Sequence, residues 1–312
     1  MEHLNRRQFV KTAAGMAGAL GIDAASTLPL SGSSAQYDAS QDMLLGTIAG
    51  IRESADKSLS RIREFGFTCC QISVTDYSPE SAHQVKEALV KYDLKPVSLI
   101  CMGPGQYAWN FYEGPITIGF VPRGWRRERI ARFKVGADFC IRAGIPAVHA
   151  HFGFIPENPN DELYEEFITA MQEVAHYTKE RGLDIYMETG QETPVALLRA
   201  IIDIGTDNIF INYDTANLIL YGKANPVDGL DVIGKYVKSL HAKDGLYPTD
   251  PKELGKEVPI GEGKVDFPRV FRRLKELNFK GFIVIEREIS GPKQAEDIAK
   301  SKAFLENLIK NA

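Results

Sequence analysis

Four short apolar runs in the second half of the chain each end in a residue able to hold a metal ion or move a proton. The runs Tyr186-Met187-Glu188-Thr189, Asn212-Tyr213-Asp214-Thr215, Ser239-Leu240-His241-Ala242-Lys243-Asp244 and Ile283-Val284-Ile285-Glu286-Arg287 deliver Glu188, Asp214, His241 and Glu286. A carboxylate buried without a partner costs several kcal/mol, so groups of this kind converging on one place need a neutralising cation. Three carboxylates and one imidazole form a mostly hard oxygen set, which suits one divalent ion: manganese is favoured, with magnesium, cobalt or zinc as alternatives. Any one of these residues alone reads as a strand-end ion pair or a helix cap. Together they read as a metal centre, and such a centre suits proton transfer beside a carbonyl, where the cation makes the neighbouring C–H acidic and carboxylates move the proton.

The elements that must position these groups follow a βα rhythm. Strands are predicted at 44–51, 68–73, 96–102, 147–152, 183–189, 209–214, 237–243 and 281–288. Helical patterns fill the gaps at 54–65, 79–92, 125–143, 161–181, 194–204, 226–236, 267–277 and 293–310, and Gly144, Gly182 and Asn278 stand where a left-handed residue closes a helix. Eight strand–helix units predict a single-domain α/β protein, a closed (β/α)8 TIM barrel. An open doubly wound sheet is the structural alternative, disfavoured by the strand count and by the lack of a GxGxxG turn after the first strand. Two connections exceed the usual length: 103–124, which carries Tyr107, Trp109, Phe111, Tyr112 and Phe120, and 245–266. Both follow strands and so belong to the catalytic face of a barrel, where Trp109 is expected to stack on a substrate ring, or else the aromatics simply cover the mouth. His149 and His151 share a face of the fourth strand; His151 is expected to bind substrate and His149 to be structural.

The chain resembles the xylose isomerase-like barrels, the sugar-phosphate isomerases and epimerases and ketose 3-epimerases, over residues 44–311. The resemblance is carried by Tyr213-Asp214-Thr215-Ala216-Asn217-Leu218, by Leu240-His241-Ala242-Lys243-Asp244 and by Val258-Pro259-Ile260-Gly261-Glu262-Gly263-Lys264-Val265-Asp266-Phe267. It implies that Glu188 and Glu286 touch both metal and substrate and move protons through an enediolate, while Asp214 and His241 complete the coordination. Ketose 3-epimerases carry a histidine where this chain has Asn217, which puts ketose epimerisation itself in question and makes Asn217 a substrate-binding candidate. Lys243 is expected to be a third catalytic group with Asp244 as its partner; the alternative is a solvated cation paired with an exposed acid. By alternation Arg287 faces the helix layer and Glu288 could face the mouth; neither is expected among the ligands.

The whole chain narrows the substrate. Residues 1–35 read as a twin-arginine signal, with Arg6-Arg7 before a short apolar run and small residues at Ser33-Ser34-Ala35, leaving residues 36–312 as the exported barrel with no membrane anchor after cleavage. The expected location is periplasmic, and a phosphorylated sugar is disfavoured both by export and by Glu262 inside the only Gly-rich candidate cradle. The 312 residues carry a net charge of −4 with scattered cations, so no nucleic-acid footprint appears. A related endonuclease would need more histidines than the six present, one of which is His3. The four cysteines, Cys69, Cys70, Cys101 and Cys140, read as buried thiols, with a Cys70–Cys101 bridge as the alternative. The leading expectation is a sugar isomerase or epimerase, conceivably a homo-oligomer, acting on an unphosphorylated sugar or derivative. A lyase or hydratase on 3-keto-glycosides by β-elimination is the second expectation, and a periplasmic sugar-binding protein is the non-enzyme reading.

Overall fold

Strand β1 (Met43–Ile51) is buried along most of its length, because its apolar run meets side chains inside the barrel on one face and helices on the other. In the computed structural model, which describes residues 43–311, it is followed by α1 (Ala55–Glu64), β2 (Cys69–Val74), α2 (Pro79–Lys91), β3 (Lys95–Ile100) and a short turn of helix α3 (Gly114–Thr117). Next come α4 (Arg126–Ala143), β4 (Ala147–Ala150), α5 (Glu162–Lys179), β5 (Asp184–Glu188), α6 (Pro194–Ile204), β6 (Ile209–Asp214), α7 (Thr215–Leu220), α8 (Pro226–Ile233) and β7 (Val237–Ala242). The chain ends with β8 (Asp244–Gly245), β9 (Glu257–Val258), α9 (Phe267–Glu276), β10 (Gly281–Ile285) and α10 (Pro292–Asn311). The predicted signal segment 1–35 and its cleavage point lie outside the described residues.

The strand order β1-β10-β7-β6-β5-β4-β3-β2 closes on itself, and every neighbouring pair is parallel. This is the predicted (β/α)8 barrel. No helix among the described residues is long and apolar enough to cross a membrane. All four cysteines are buried free thiols, so the alternative of a Cys70–Cys101 bridge is not realised.

Local sequence explains where the helices begin and end. Ser54, Ser78, Asp161, Thr193, Asn225 and Asp266 each accept a backbone N–H at a helix start, a contribution of about 1 kcal/mol apiece. Gly144, Gly182 and Asn278 all adopt the predicted left-handed conformation. Some boundaries differ from expectation: β10 stops at Ile285 instead of reaching Glu288, β4 stops at Ala150, and the helix after β6, α7, was not anticipated. A six-residue helix is too short to show a 3.6-residue period.

The two long loops meet over the barrel mouth. Phe111 donates its backbone N–H to the Lys252 carbonyl at 3.1 Å, and Asn110 pairs with Glu253 in an isolated bridge. Trp109, Phe111, Phe154 and Leu254 pack on Ala216, Leu220 and Tyr221 beneath them. The aromatic loop is pinned from below by Arg129 of α4, a buried guanidinium that donates to the carbonyls of Gly119 (2.7 Å), Pro104 (3.1 Å) and Gln106 (3.1 Å) and lies 4.3 Å from the Tyr107 ring centroid. Gly119 holds φ +73° with the Phe152 backbone where a Cβ would stand, so only glycine allows the loop to approach β4 this closely.

Candidate metal and active site

Barrel register sets the site. Asp214 pairs in register with His241 across β6 and β7, Glu188 at the end of β5 pairs with Asn212, and Glu286 follows β10 with its N–H bonded to the Ala242 carbonyl at 3.2 Å. The four side chains therefore emerge at one level of the C-terminal face, where barrel active sites are built. Each offers one ligand atom, all within 4.8 Å of one another, and all four residues are buried. Ligands opposed across a metal at about 2.1 Å stand about 4.2 Å apart, so a small inward movement of these side chains would enclose a divalent ion.

Two further observations test the fit. Asp214 Oδ2 is fully buried and makes no hydrogen bond, although Lys243 Nζ lies 2.9 Å away in ion-pair contact. Burial, with Glu286 and Glu188 nearby, pushes the Asp214 carboxyl up to about 7 against the pull of Lys243. A buried carboxylate so short of compensation is the place where a divalent cation stabilises the fold. The donor set of three carboxylates and one imidazole has the chemistry that such an ion requires, and the residues fit it.

Glu188 is surrounded by donors. Its Oε2 lies 2.7 Å from His149 Nε2 and 3.2 Å from His151 Nε2, and its Oε1 lies 3.2 Å from both His241 Nδ1 and Asn217 Nδ2. Burial pushes its carboxyl up, but His151, His241 and His149 outweigh that and hold it well below the usual range. Glu286 Oε2 lies 2.9 Å from Lys243 Nζ and 3.1 Å from His241 Nδ1, and these two cations likewise overcome the effect of burial. His241 stands between the glutamates, and although burial disfavours its charge, Glu286 and Glu188 raise its pKa well above the ordinary value.

The remaining predicted residues fall around this group. His151 is nearly covered; its Nδ1 faces the Gln191 amide at 3.1–3.3 Å, and its ring meets the Trp109 indole edge-to-face at 5.0 Å. Asn217, whose amide holds Glu188, also donates its backbone N–H to Asp214 Oδ1 at 2.7 Å. One alternative is excluded and one expectation corrected. Lys243 is not a solvated cation, being 1% exposed. Asp244 is not its partner: the Asp244 carboxylate accepts the N–H groups of Gly245, Gly261, Gly263 and Val265 at 2.8–3.1 Å and so folds the glycine-rich loop around itself. His149, expected to be structural, is buried and holds Glu188 through the shortest contact that carboxylate makes with any histidine.

Two contributors were missed entirely. Gln71 of β2 accepts from His241 Nε2 at 2.7 Å and is itself oriented by Ser98, to which it donates at 2.9 Å. That bond places the proton on Nε2 and leaves Nδ1, the atom facing the carboxylates, as the ligand. Only the alternation of β2, which turns Gln71 inward between Cys70 and Ile72, could have signalled it. Glu288 was left aside, yet its Oε1 lies 2.8 Å from Lys243 Nζ. Arg287 does face the helices, pairing with Asp297 of α10 at 3.0 Å and also with Glu257 of β9 at 2.6 Å.

Known proteins bear on this arrangement. The chain is 26% identical to the uncharacterised protein MJ1311 of Methanocaldococcus jannaschii over 86% of its own length and 90% of that protein's. It is 24% identical to an inosose dehydratase of Lacticaseibacillus casei, a match covering 46% of this chain and about half, 51%, of that enzyme. Among solved structures, a xylose isomerase domain protein from Planctomyces limnophilus superposes with a TM-score of 0.77 at 28% identity, covering 86% of this chain and 99% of that one. The model of the family described as xylose isomerase-like TIM barrel matches residues 59–308, most of the chain, and the protein belongs to that family.

Proposed function

We propose that this protein is a divalent-metal-dependent sugar isomerase or epimerase acting on an unphosphorylated sugar or sugar derivative, exported by the twin-arginine route. The observation that carries the reading is the convergence of Glu188, Asp214, His241 and Glu286 at one buried point of the barrel mouth. Bound by these four residues, a divalent ion would supply Lewis-acid polarisation of a substrate carbonyl or hydroxyl.

The protein's own groups then divide the work. Glu188 and Glu286 reach the site from β5 and β10, with β6 and β7 between them, so they flank a substrate and serve as the pair that removes and returns a proton. His149 and His151, both on Glu188 Oε2, hold that carboxylate in place and stabilise its ionised form. Lys243 holds Glu286 and adds a fixed positive charge where negative charge develops. Trp109, pressed on His151 and roofed by the joined loops, forms an apolar wall against which a sugar ring stacks and which limits access of water.

A second reading, elimination from a keto-sugar derivative, is favoured by His151. Its Nε2 contacts Glu188 and its Nδ1 the Gln191 amide, so a proton that Glu188 takes from carbon has an imidazole beside it that can relay it toward a departing oxygen. The partial match to inosose dehydratases supports this reading too. The deciding experiment incubates the manganese-loaded protein with free sugars and 3-keto-sugars in D2O. Deuterium at carbon with an isomeric product is expected; deuterium with loss of water or an aglycone moves the assignment to a lyase. One equivalent of metal is expected in the same preparation. A protein that binds sugar, holds no metal after reconstitution and exchanges no deuterium overturns both readings and is a binding protein.

A further inference from the structure

Lys243 occupies an unusual position for a lysine. Its ammonium is buried, with Asp214 Oδ2 at 2.9 Å, Glu286 Oε2 at 2.9 Å and Glu288 Oε1 at 2.8 Å. Three carboxylate oxygens from three separate residues around one buried point make a donor set that suits a divalent ion as well as an ammonium. Two of the three, Asp214 and Glu286, also belong to the four-residue metal group; Glu288 does not. The buried Asp214 Oδ2 meets the lysine without a hydrogen bond. Sites with two metal ions are built in this way, with carboxylates shared between ions about 3.5–4 Å apart and other ligands private to each.

We propose that the Lys243 ammonium is a built-in second cation: it fills the position of a second metal ion and keeps the centre mononuclear. The inference rests on the metal-site reading above and extends it to the number of ions. Glu188, Asp214, Glu286 and Glu288 together bring four carboxylates. One divalent ion balances two of their charges and the ammonium balances a third, donating to Glu286 Oε2 and Glu288 Oε1 and meeting Asp214 Oδ2 as an ion pair. Because the lysine is covalently attached it cannot exchange, so a second ion would have to expel a buried side chain. The consequence is a restriction on chemistry: a centre with one ion beside a fixed ammonium lacks the two-ion clamp on attacking and departing oxygens that serves phosphoester hydrolysis. It retains what acid–base chemistry at a carbonyl requires.

The test compares the full chain with Lys243→Ala, Lys243→Arg and the double variant Lys243→Ala/Glu288→Gln. Each is saturated with Mn2+, cleared of loosely held ion, and assayed for metal equivalents, for the spin-coupled signal of a manganese pair by electron paramagnetic resonance, and for folding by circular dichroism. One equivalent is expected in the unaltered chain and in Lys243→Arg, two with the coupled signal in Lys243→Ala, and one again in the double variant. If Lys243→Ala folds only when refolded with Mn2+, two equivalents are still expected there. A single equivalent in folded Lys243→Ala overturns the proposal, as do two equivalents in the unaltered chain. No metal in the unaltered chain overturns the metal-site reading itself, a result distinct from the others.

Discussion

The two glutamates that flank the site stand in different surroundings. Glu188 on β5 is held by the imidazoles of His149, His151 and His241 and by the Asn217 amide. Glu286, just after β10, is held by Lys243, a permanent cation with Glu288 behind it, and shares His241 with its counterpart. One wall can therefore pass protons onward through imidazoles, while the other fixes its charge. Two carboxylates that look equivalent in the sequence are expected to perform unequal tasks: both are held ionised by their neighbours, but Glu188 touches imidazoles that can relay a proton and Glu286 is pinned by an ammonium.

The largest effect tests whether both walls are needed at all. Glu188→Gln and Glu286→Gln preserve shape and remove the proton acceptor, and each is expected to lower kcat by about 10³-fold, within the range of general acid–base catalysis, with unchanged circular dichroism. Near-normal turnover in both variants would sink the mechanism. Deuterium exchange then sharpens the comparison: if one variant retains exchange into substrate without forming product, the other carboxylate is the one that takes the first proton.

The next effect concerns what the walls share. Asp214→Asn is expected to lower metal affinity by one to two orders of magnitude, since it removes one charged ligand of the set, and Asp214→Asn/His241→Ala should retain no ion after dialysis. Elemental analysis gives the answer, and full metal occupancy in the double variant would disprove the ligand assignment. A smaller change, about 10- to 100-fold in kcat, is expected for His151→Phe, read from steady-state kinetics; an unchanged kcat would mean that the His151 imidazole takes no part in moving the proton.

Much of this site was legible in the sequence, and the limits have physical causes. Strand ends are readable because an apolar run that stops at an ionisable side chain is costly unless that group has a partner, and Glu188, Asp214, His241 and Glu286 each obey that rule. Gln71 was illegible: its bond to His241 joins residues 170 positions apart, and a glutamine inside a strand carries no local signal of its partner. That His149 and His151 both reach Glu188 was not legible, because alternation gives a side chain's face but not its depth. Lys243 and Asp244 are adjacent and so point to opposite faces, which is why one enters the carboxylate cage and the other folds the 261–265 loop. The joining of the two loops depends on Phe111 meeting Lys252, a contact that no pattern within either loop encodes.

The loop that carries Gln191, the partner of His151, provides the smallest predicted effect. Glu192, in the loop after β5, is 3% exposed, and its Oε1 has no hydrogen-bond partner. Burial pushes its carboxyl up from 4.5 to about 8, against backbone hydrogen bonds and Lys223, so the group is held neutral in the fold. Below pH 4.5 the folded and unfolded chains both carry this proton and the stability it confers is fully present. As pH rises toward about 8 the folded chain keeps the proton and the unfolded chain has lost it, so stability falls by at most about 1.4 kcal/mol per pH unit and then levels off. Glu192→Gln supplies the neutral form at every pH. Its Tm should match the unaltered chain near pH 4.5 and exceed it by about 10 °C at pH 8, measured at one fixed Mn2+ concentration so that ion binding does not contribute. A Tm difference that stays constant between these two pH values would mean that Glu192 ionises freely in the fold.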